Sequence, residues 1–318
     1  MTTPTVQWIR KVRLTLLNGQ EALDLSEFRF TFSTVQADYQ SPNNCQIRVF
    51  NLKTETSKKI RGEFSDVILE AGYEGNFGII FRGTVKQFRI GKENSTDSYL
   101  DILSADGDTL YNFGFVSRSF PAGSTAQQRA AEIVSLGGTS DPGGKLLGSL
   151  NHNGLAGTMP AARGKVVFAL MRAALTAETG ANGATWNIND GKVNIIPLDG
   201  YLPSEAVVLT ARTGLLGIPE QTNEGIRARC LLNPLLQAGA LVQIDNASIN
   251  QTVNADQAVD VKIPYNQWTG IQFLADTSSD GIYRILIAEH EGDSRGQPWY
   301  TNLTALAINP ATKKVVAP

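Results

Sequence analysis

Apolar and polar residues alternate through most of the first hundred positions. Val12, Leu14 and Leu16 alternate with Arg13 and Thr15, ahead of an Asn18-Gly19 turn signal. Phe28, Phe30 and Phe32 alternate with Arg29 and Thr31, and Ile47 and Val49 flank Arg48. A period of two puts every second side chain on one face of a strand. Residues 67–71 and 79–88 read as further strands, broken at Gly72, Gly75 and Gly78, and 99–103 closes the set. Many short strands with Gly-rich turns predict a barrel or sandwich. Residues 54–61 depart from the pattern and read as one short polar helix laid across a barrel end.

The period then changes. Ser124-Thr125 reads as an N-cap for an Ala-rich helix over 126–136, stopped by Gly137-Gly138. A glycine-rich loop covers 143–157. A second helix is predicted over 165–179, with Val166, Val167, Leu170, Met171 and Ala174 on one face and Gly180 and Gly183 as stops. Short strands at 186–188 and 193–196 follow, joined by an Asn189-Asp190-Gly191 hairpin turn.

Beyond residue 205 the chain returns to strands, at 207–209, 225–232, 240–244, 257–263, 281–289 and 300–307, with a frayed tail over 309–318. The order of features repeats that of the first region. Cys45-Gln-Ile-Arg-Val-Phe50, Asn51-Leu52 and the Val67-Ile-Leu69 strand parallel Ile226-Arg-Ala-Arg-Cys-Leu-Leu232, Asn233-Pro234-Leu235 and Leu241-Val-Gln-Ile244. Phe81-Arg-Gly-Thr-Val85 loosely matches Gly281-Ile-Tyr-Arg-Ile285. Gly91 precedes Tyr99 by the eight positions that separate Gly292 from Tyr300. The expected fold class is mainly β with an α/β insert: a first β-barrel domain over 1–107, an α/β domain with two helices and a short hairpin over 108–205, and a second, similar β-barrel domain over 206–318.

Composition narrows the function. Lys and Arg number 28 against 30 Asp and Glu, a net charge of -2, which argues against a general nucleic-acid binder. The 42% hydrophobic content suits a chain with a real core. Cys45 and Cys230 lie in apolar runs and read as buried free thiols, without metal-type spacing. Residues 1–10 lack the apolar core of a signal peptide, and no stretch is apolar enough to span a membrane, so a soluble protein made in a cytoplasm is expected.

The search for chemistry assigns no catalytic, cofactor-binding or metal residues. His290, in Glu289-His-Glu-Gly-Asp293, reads as a surface strand end rather than an acid/base group, and His152 as a solvated turn residue. Asp106 and Asp108 sit in a turn that lacks the further ligands of a calcium loop. The loop over 138–145 mimics a phosphate-binding loop, yet Leu146 stands where a hydroxyl is required. Trp8, Trp186, Trp268 and Trp299 are dispersed and read as core or interface anchors. No nucleophile elbow occurs.

Several phrases, in order, resemble phage baseplate hub proteins of the Mu-like contractile-tail family. They are Ile47-Arg-Val-Phe-Asn-Leu52, Ile68-Leu-Glu-Ala-Gly-Tyr-Glu-Gly75, Ile80-Phe-Arg-Gly-Thr-Val85 and Tyr99-Leu-Asp-Ile-Leu-Ser-Ala-Asp-Gly-Asp108. In the second half they are Thr213-Gly-Leu-Leu-Gly-Ile-Pro219, Arg229-Cys-Leu-Leu-Asn-Pro234, Gly281-Ile-Tyr-Arg-Ile285 and Gly292-Asp-Ser-Arg-Gly296. The resemblance implies a two-barrel hub without catalytic residues. It implies a homotrimeric ring in the virion's tail baseplate, assembled in the host cytoplasm, that adapts a sixfold tail tube to a threefold central spike. Its implied partners are further copies of itself, the tail tube protein, the spike protein and other baseplate proteins, with DNA only passing through a central channel during ejection. The alternatives are the hub of a phage-derived contractile particle (a tailocin), a tail-associated cell-wall hydrolase, and a carbohydrate-binding receptor module at the tail tip.

Overall fold

The computed structural model describes residues 8–19, 21–139, 149–151, 153–155, 157–222, 225–245, 281–309 and 314–315. The first region holds β1 (Arg10–Leu17), β2 (Ala22–Asp24), β3 (Phe30–Ala37), β4 (Asn44–Phe50), α1 (Thr54–Glu63), β5 (Asp66–Tyr73), β6 (Asn76–Lys92) and β7 (Ser98–Ala105). The middle holds α2 (Asp108–Phe113), β8 (Phe115–Phe120), α3 (Ala126–Thr139), β9 (Ser149–Asn151), β10 (Lys165–Leu170), α4 (Met171–Gly180), β11 (Ala184–Asn189) and β12 (Lys192–Pro197). The last holds β13 (Val207–Leu209), β14 (Leu215–Thr222), β15 (Gly225–Leu231), β16 (Leu241–Ile244), β17 (Ile282–Asp293), β18 (Trp299–Asn309) and β19 (Lys314–Val315). Among the described residues, no helix is long and apolar enough to cross a membrane.

The alternation seen in sequence becomes inward and outward faces. Leu14, Leu16, Phe30, Ile47, Val49, Val67, Leu69, Leu100 and Ile102 fill one core, and α1 closes its end by burying Ile60. Each fully buried Leu, Ile or Phe contributes about 1.5–3 kcal/mol. A second core gathers Ile226, Cys230, Val242, Ile244, Tyr283, Ile285, Leu303 and Ala305. A third, in the insert, packs α3 and α4 against β8, β10, β11 and β12 through Ile133, Met171, Leu175, Trp186 and Ile195.

The two β regions share one strand order. In the first, neighbours run β3-β4-β7-β6-β5-β1; in the second, β14-β15-β18-β17-β16-β13. One pair differs in direction among the described residues: β1 is antiparallel to β5 whereas β13 is parallel to β16. The β4/β7 and β15/β18 ladders align residue by residue. Arg48 faces Asp101 and stacks on Tyr99, as Arg229 faces Asn302 and stacks on Tyr300. With those pairs matched, the register shift in β6 between Val85 and Gln87 falls on that in β17 between Ile285 and Ile287. Gly91 then falls on Glu291, not on Gly292: Gly91 pairs with Tyr99 but Gly292 with Trp299. The equal glycine-to-tyrosine spacing is one residue away from the true equivalence.

Other expectations are corrected. Residues 165–170 form β10 rather than the start of a helix, because Lys165-Val-Val-Phe carries β-branched and aromatic side chains and pairs antiparallel with β8; the helix begins at Met171. The helix α3 runs past Gly137-Gly138. Gly137 serves packing instead, since an added Cβ would lie 2.6 Å from Met171 Cγ. Its N-terminus is a capping box: Thr125 N–H donates to Gln128 Oε1 (3.0 Å) and Gln128 N–H to Thr125 Oγ1 (3.2 Å). Strand β6 runs unbroken through Gly78. The tail is pinned at Lys314–Val315, where β19 pairs with β18. Strands β2, β8, β9 and β14 and helix α2 were not anticipated. The predicted strand at 257–263 lies outside the described residues.

Candidate functional site: the junction of the barrels

The two barrels are joined by backbone. The first part of β17 pairs with β16 over Ile282–Arg284, and its second part turns to β3, pairing Ile287 with Ala37 through Asp293 with Thr31. At the register shift, Asp38 N–H donates to Leu286 O (2.8 Å). Side chains lock the seam. Arg29 donates to Asp293 (2.8 Å), Phe30 N–H donates to Ser294 Oγ (3.0 Å), and Phe32 meets Trp299 edge-on with centroids 5.4 Å apart. Trp299, on a strand of the second barrel, belongs to the core of the first, and its Nε1 donates to Gly72 O (3.3 Å).

His290 lies mid-strand in this seam and is fully buried, not at a surface strand end. Being flanked by β3 on one side and β18 on the other removes it from water. Its Nδ1 shares a hydrogen bond with Thr301 Oγ1 (2.9 Å), and burial pushes its pKa down to about 4. It is therefore neutral and out of reach of a substrate.

A polar node lies where all three regions meet. Arg284 of β17 donates to Asp38, just past β3, and to Gly200 O (2.7 Å) and Leu198 O (3.3 Å) below the insert's hairpin. Asn187 of β11 donates to the other Asp38 oxygen (2.7 Å). Asn43 Nδ2 donates to Ile188 O (2.6 Å) and Asn189 Oδ1 (2.7 Å). The hairpin turn Asp190-Gly191 has positive φ at both residues, 54° and 77°, the signature of a type I′ turn, and Gly191 N–H donates to Asp106 Oδ1 (2.9 Å). Burial, then the neighbouring Asp190, raises the Asp106 pKa well above the usual carboxylate range. Burial raises Asp190 to about 7; the residue is only half-buried, but its Oδ1 is sealed from solvent and lacks a hydrogen-bond partner.

The other residues weighed for chemistry do not converge. Asp106 turns to the hairpin, while Asp108, at the start of α2, pairs with Lys86 and Asn112. Cys45 and Cys230 are buried in separate barrel cores, and burial pushes both thiols up, Cys230 to about 12. Trp186 and Trp299 are core residues, and Trp8 is exposed. His152, Trp268 and residues 140–145 lie outside the described residues. Among the described residues, no three His, Cys, Asp or Glu side chains are grouped to hold a metal ion. Each barrel carries the same shallow groove on the face turned from its core. One is lined by Glu220, Arg227 and Thr304, the other by Ser33, Gln46 and Leu103. These are equivalent positions; the first groove is lined by charges of both signs (Glu220, Glu289, Arg227 and Arg229), the second by a single charge, Lys86. The polar node was missed in sequence, although Arg284 interrupting an apolar strand was a readable signal.

No family model and no curated protein matches the sequence. Solved structures do match. A tail protein from Neisseria meningitidis has 11% identity and a TM-score of 0.56, covering 94% of this chain and 96% of that one. The 43 kDa tail protein of prophage MuSo2 from Shewanella oneidensis has 9% identity and a TM-score of 0.56, covering 96% and 99%. An E. coli component of the type VI secretion system, described as structurally similar to two bacteriophage T4 tail proteins, has 11% identity and a TM-score of 0.55, covering 92% and 76%. The chain thus has the hub-type fold of phage tail proteins.

Proposed function

We propose that this chain is a structural subunit of a phage tail, a baseplate hub that assembles as a trimer. The observation that carries this reading is the duplicated strand order, with both copies in one continuous sheet. Two equivalent barrels per chain make six around a ring of three chains, so one assembly meets sixfold symmetry on one side and threefold on the other. In this reading the domains fall near 1–107, 108–205 and 206–318. The tail tube and the central spike are the partners, and DNA passes through the middle. The net charge of -2 supports a wall that lets a polyanion slide, because a Lys- and Arg-rich wall would bind phosphates and release counterions.

Light scattering over a concentration series, with and without the spike protein, tests it. A trimer under either condition supports the hub; a closed dimer under both overturns it. Tight duplex binding at physiological salt overturns the passive conduit. The role is structural rather than hydrolytic, and a peptidoglycan zymogram with purified protein should show no clearing. Likeness to a secretion-system component favours one second reading, the hub of a phage-derived contractile particle, which a genomic neighbourhood without capsid genes would support.

A further inference from the structure

Two polar atoms are sealed in the seam on residues that face each other. His290 of β17 and Thr34 of β3 are direct partners in the ladder that joins the barrels, so their side chains share one face. Both residues are 0% exposed. His290 Nε2 and Thr34 Oγ1 are buried, and neither has a hydrogen-bond partner among the described residues. Gln36, two positions along the same face of β3, donates from Nε2 to Ile80 O (3.0 Å), but its Oε1 is buried and likewise lacks a partner.

This polarity belongs to the seam and not to the barrel plan. Where β17 and β18 pair His290 with Thr301, the equivalent strands β6 and β7 pair Ile90 with Leu100. Thr301 Oγ1 accepts from Asn233 N–H (3.1 Å), which leaves its own proton for His290 Nδ1. A neutral ring that accepts at Nδ1 carries its proton on Nε2. The seam therefore encloses one donor, His290 Nε2–H, and two acceptors, Thr34 Oγ1 and Gln36 Oε1. Leaving such groups unpaired away from water costs more than a hydrogen bond returns. Ladder partners hold their Cβ atoms about 4.5–5.5 Å apart, close enough for one water to bridge their polar tips.

We infer that the seam binds a single internal water between His290 Nε2 and Thr34 Oγ1. The water accepts from Nε2–H and donates to Thr34 Oγ1, and Gln36 Oε1 is the acceptor on that face for its second proton. About three bonds to otherwise unpaired groups are what a buried water ordinarily makes. The site exists because β17 changes partner: His290 faces Thr34 only after β17 has exchanged β16 for β3. The water joins a strand of each barrel within one chain, so the site does not depend on how many chains assemble.

The sign of a stability change tests the site in the full chain. Thr34→Val replaces the hydroxyl with a methyl of like shape. With the water bound, the change removes an acceptor and strands Nε2–H, and Tm should fall by about 2–4 °C. In a His290→Leu background the same change should cost little or nothing, because the bridge is already broken. Without the water, Thr34 Oγ1 is an unpaired buried hydroxyl, and its removal leaves Tm unchanged or raises it; either result overturns the site. An equal fall in both backgrounds overturns the bridge between the two residues. A high-resolution crystal structure reads the site directly. Density within hydrogen-bond distance of both His290 Nε2 and Thr34 Oγ1 supports it. A map in which the two atoms bond each other or other protein groups, or in which nothing lies between them, overturns it.

Discussion

Removing the Arg284 head group should loosen the junction of all three regions at once. In Arg284→Met the aliphatic stem is kept, but among the described residues Asp38 is left with the Asn187 amide as its side-chain partner, and Leu198 O and Gly200 O lose a donor. Both charged side chains are 4% exposed, so water cannot replace the guanidinium. Breaking such a buried pair on one side costs about 3–5 kcal/mol. Burial lowers the Arg284 pKa to about 10, which still leaves it charged at neutral pH. Neutralising both partners in Arg284→Met/Asp38→Asn keeps the acceptor for Asn187 and removes the stranded carboxylate. The double variant should therefore lose less than the sum of the singles, with a coupling of about 2–3 kcal/mol. Urea unfolding of the four proteins measures the cycle. Calorimetry should show a Tm lower by roughly 10 °C for Arg284→Met and a broader or divided transition, since the residue ties separate cores together. Additive single effects, or a loss below about 1 kcal/mol for Arg284→Met, would refute the idea that this pair holds the junction.

Two buried groups set opposing pH trends. Asp190 has a pKa of about 7 in the fold against 3.8 ordinarily, so between those values the unfolded chain ionises first. Stability then falls as pH rises through that window, by up to about 4 kcal/mol; the raised Asp106 adds a fall of the same sign, so Asp190→Asn should make the slope shallower without abolishing it. His290, at about 4 against 6.5, works the other way: the unfolded chain takes up a proton first as pH falls, and acid destabilises by up to about 3 kcal/mol. Urea midpoints at several pH values, with and without Asp190→Asn, separate the two. Gly137→Ala should cost about 1–3 kcal/mol by crowding Met171, and should cost less in a Met171→Ala background than in the native one, as thermal melts of the four proteins will show. Neither Cys45 nor Cys230 should react with a thiol reagent in the native protein, and both should react in urea.

The groove residues also show why β14 is not legible in the sequence. In β14, Gly217-Ile-Pro interrupts the alternation, and three residues oppose Ala228 where the ladder shifts between Leu216 and Glu220. Pattern rules demote a run that contains Gly and Pro. Among the described residues β14 stands at the end of the sheet, where such an irregularity is tolerated.

The sequence by itself determined most strands of both barrels, the Asn189-Asp190-Gly191 hairpin turn, the helix start at Ser124-Thr125 and the order that repeats between the halves. These are local: a period of two, a turn residue or a cap acts within a few positions. Tertiary structure decided the rest. Lys165-Val-Val-Phe became a strand because β8 lies beside it, and Gly137 stayed helical because Met171 fills the space a side chain would take. His290 is neutral and Arg284 is paired because strands distant in the chain close around them. Sequence could show that two barrels repeat, but not that one strand, while staying paired with β18, exchanges β16 for β3 of the other barrel halfway along. That exchange depends on which backbone edge is left unpaired once both barrels have folded, and no single segment of the chain encodes it.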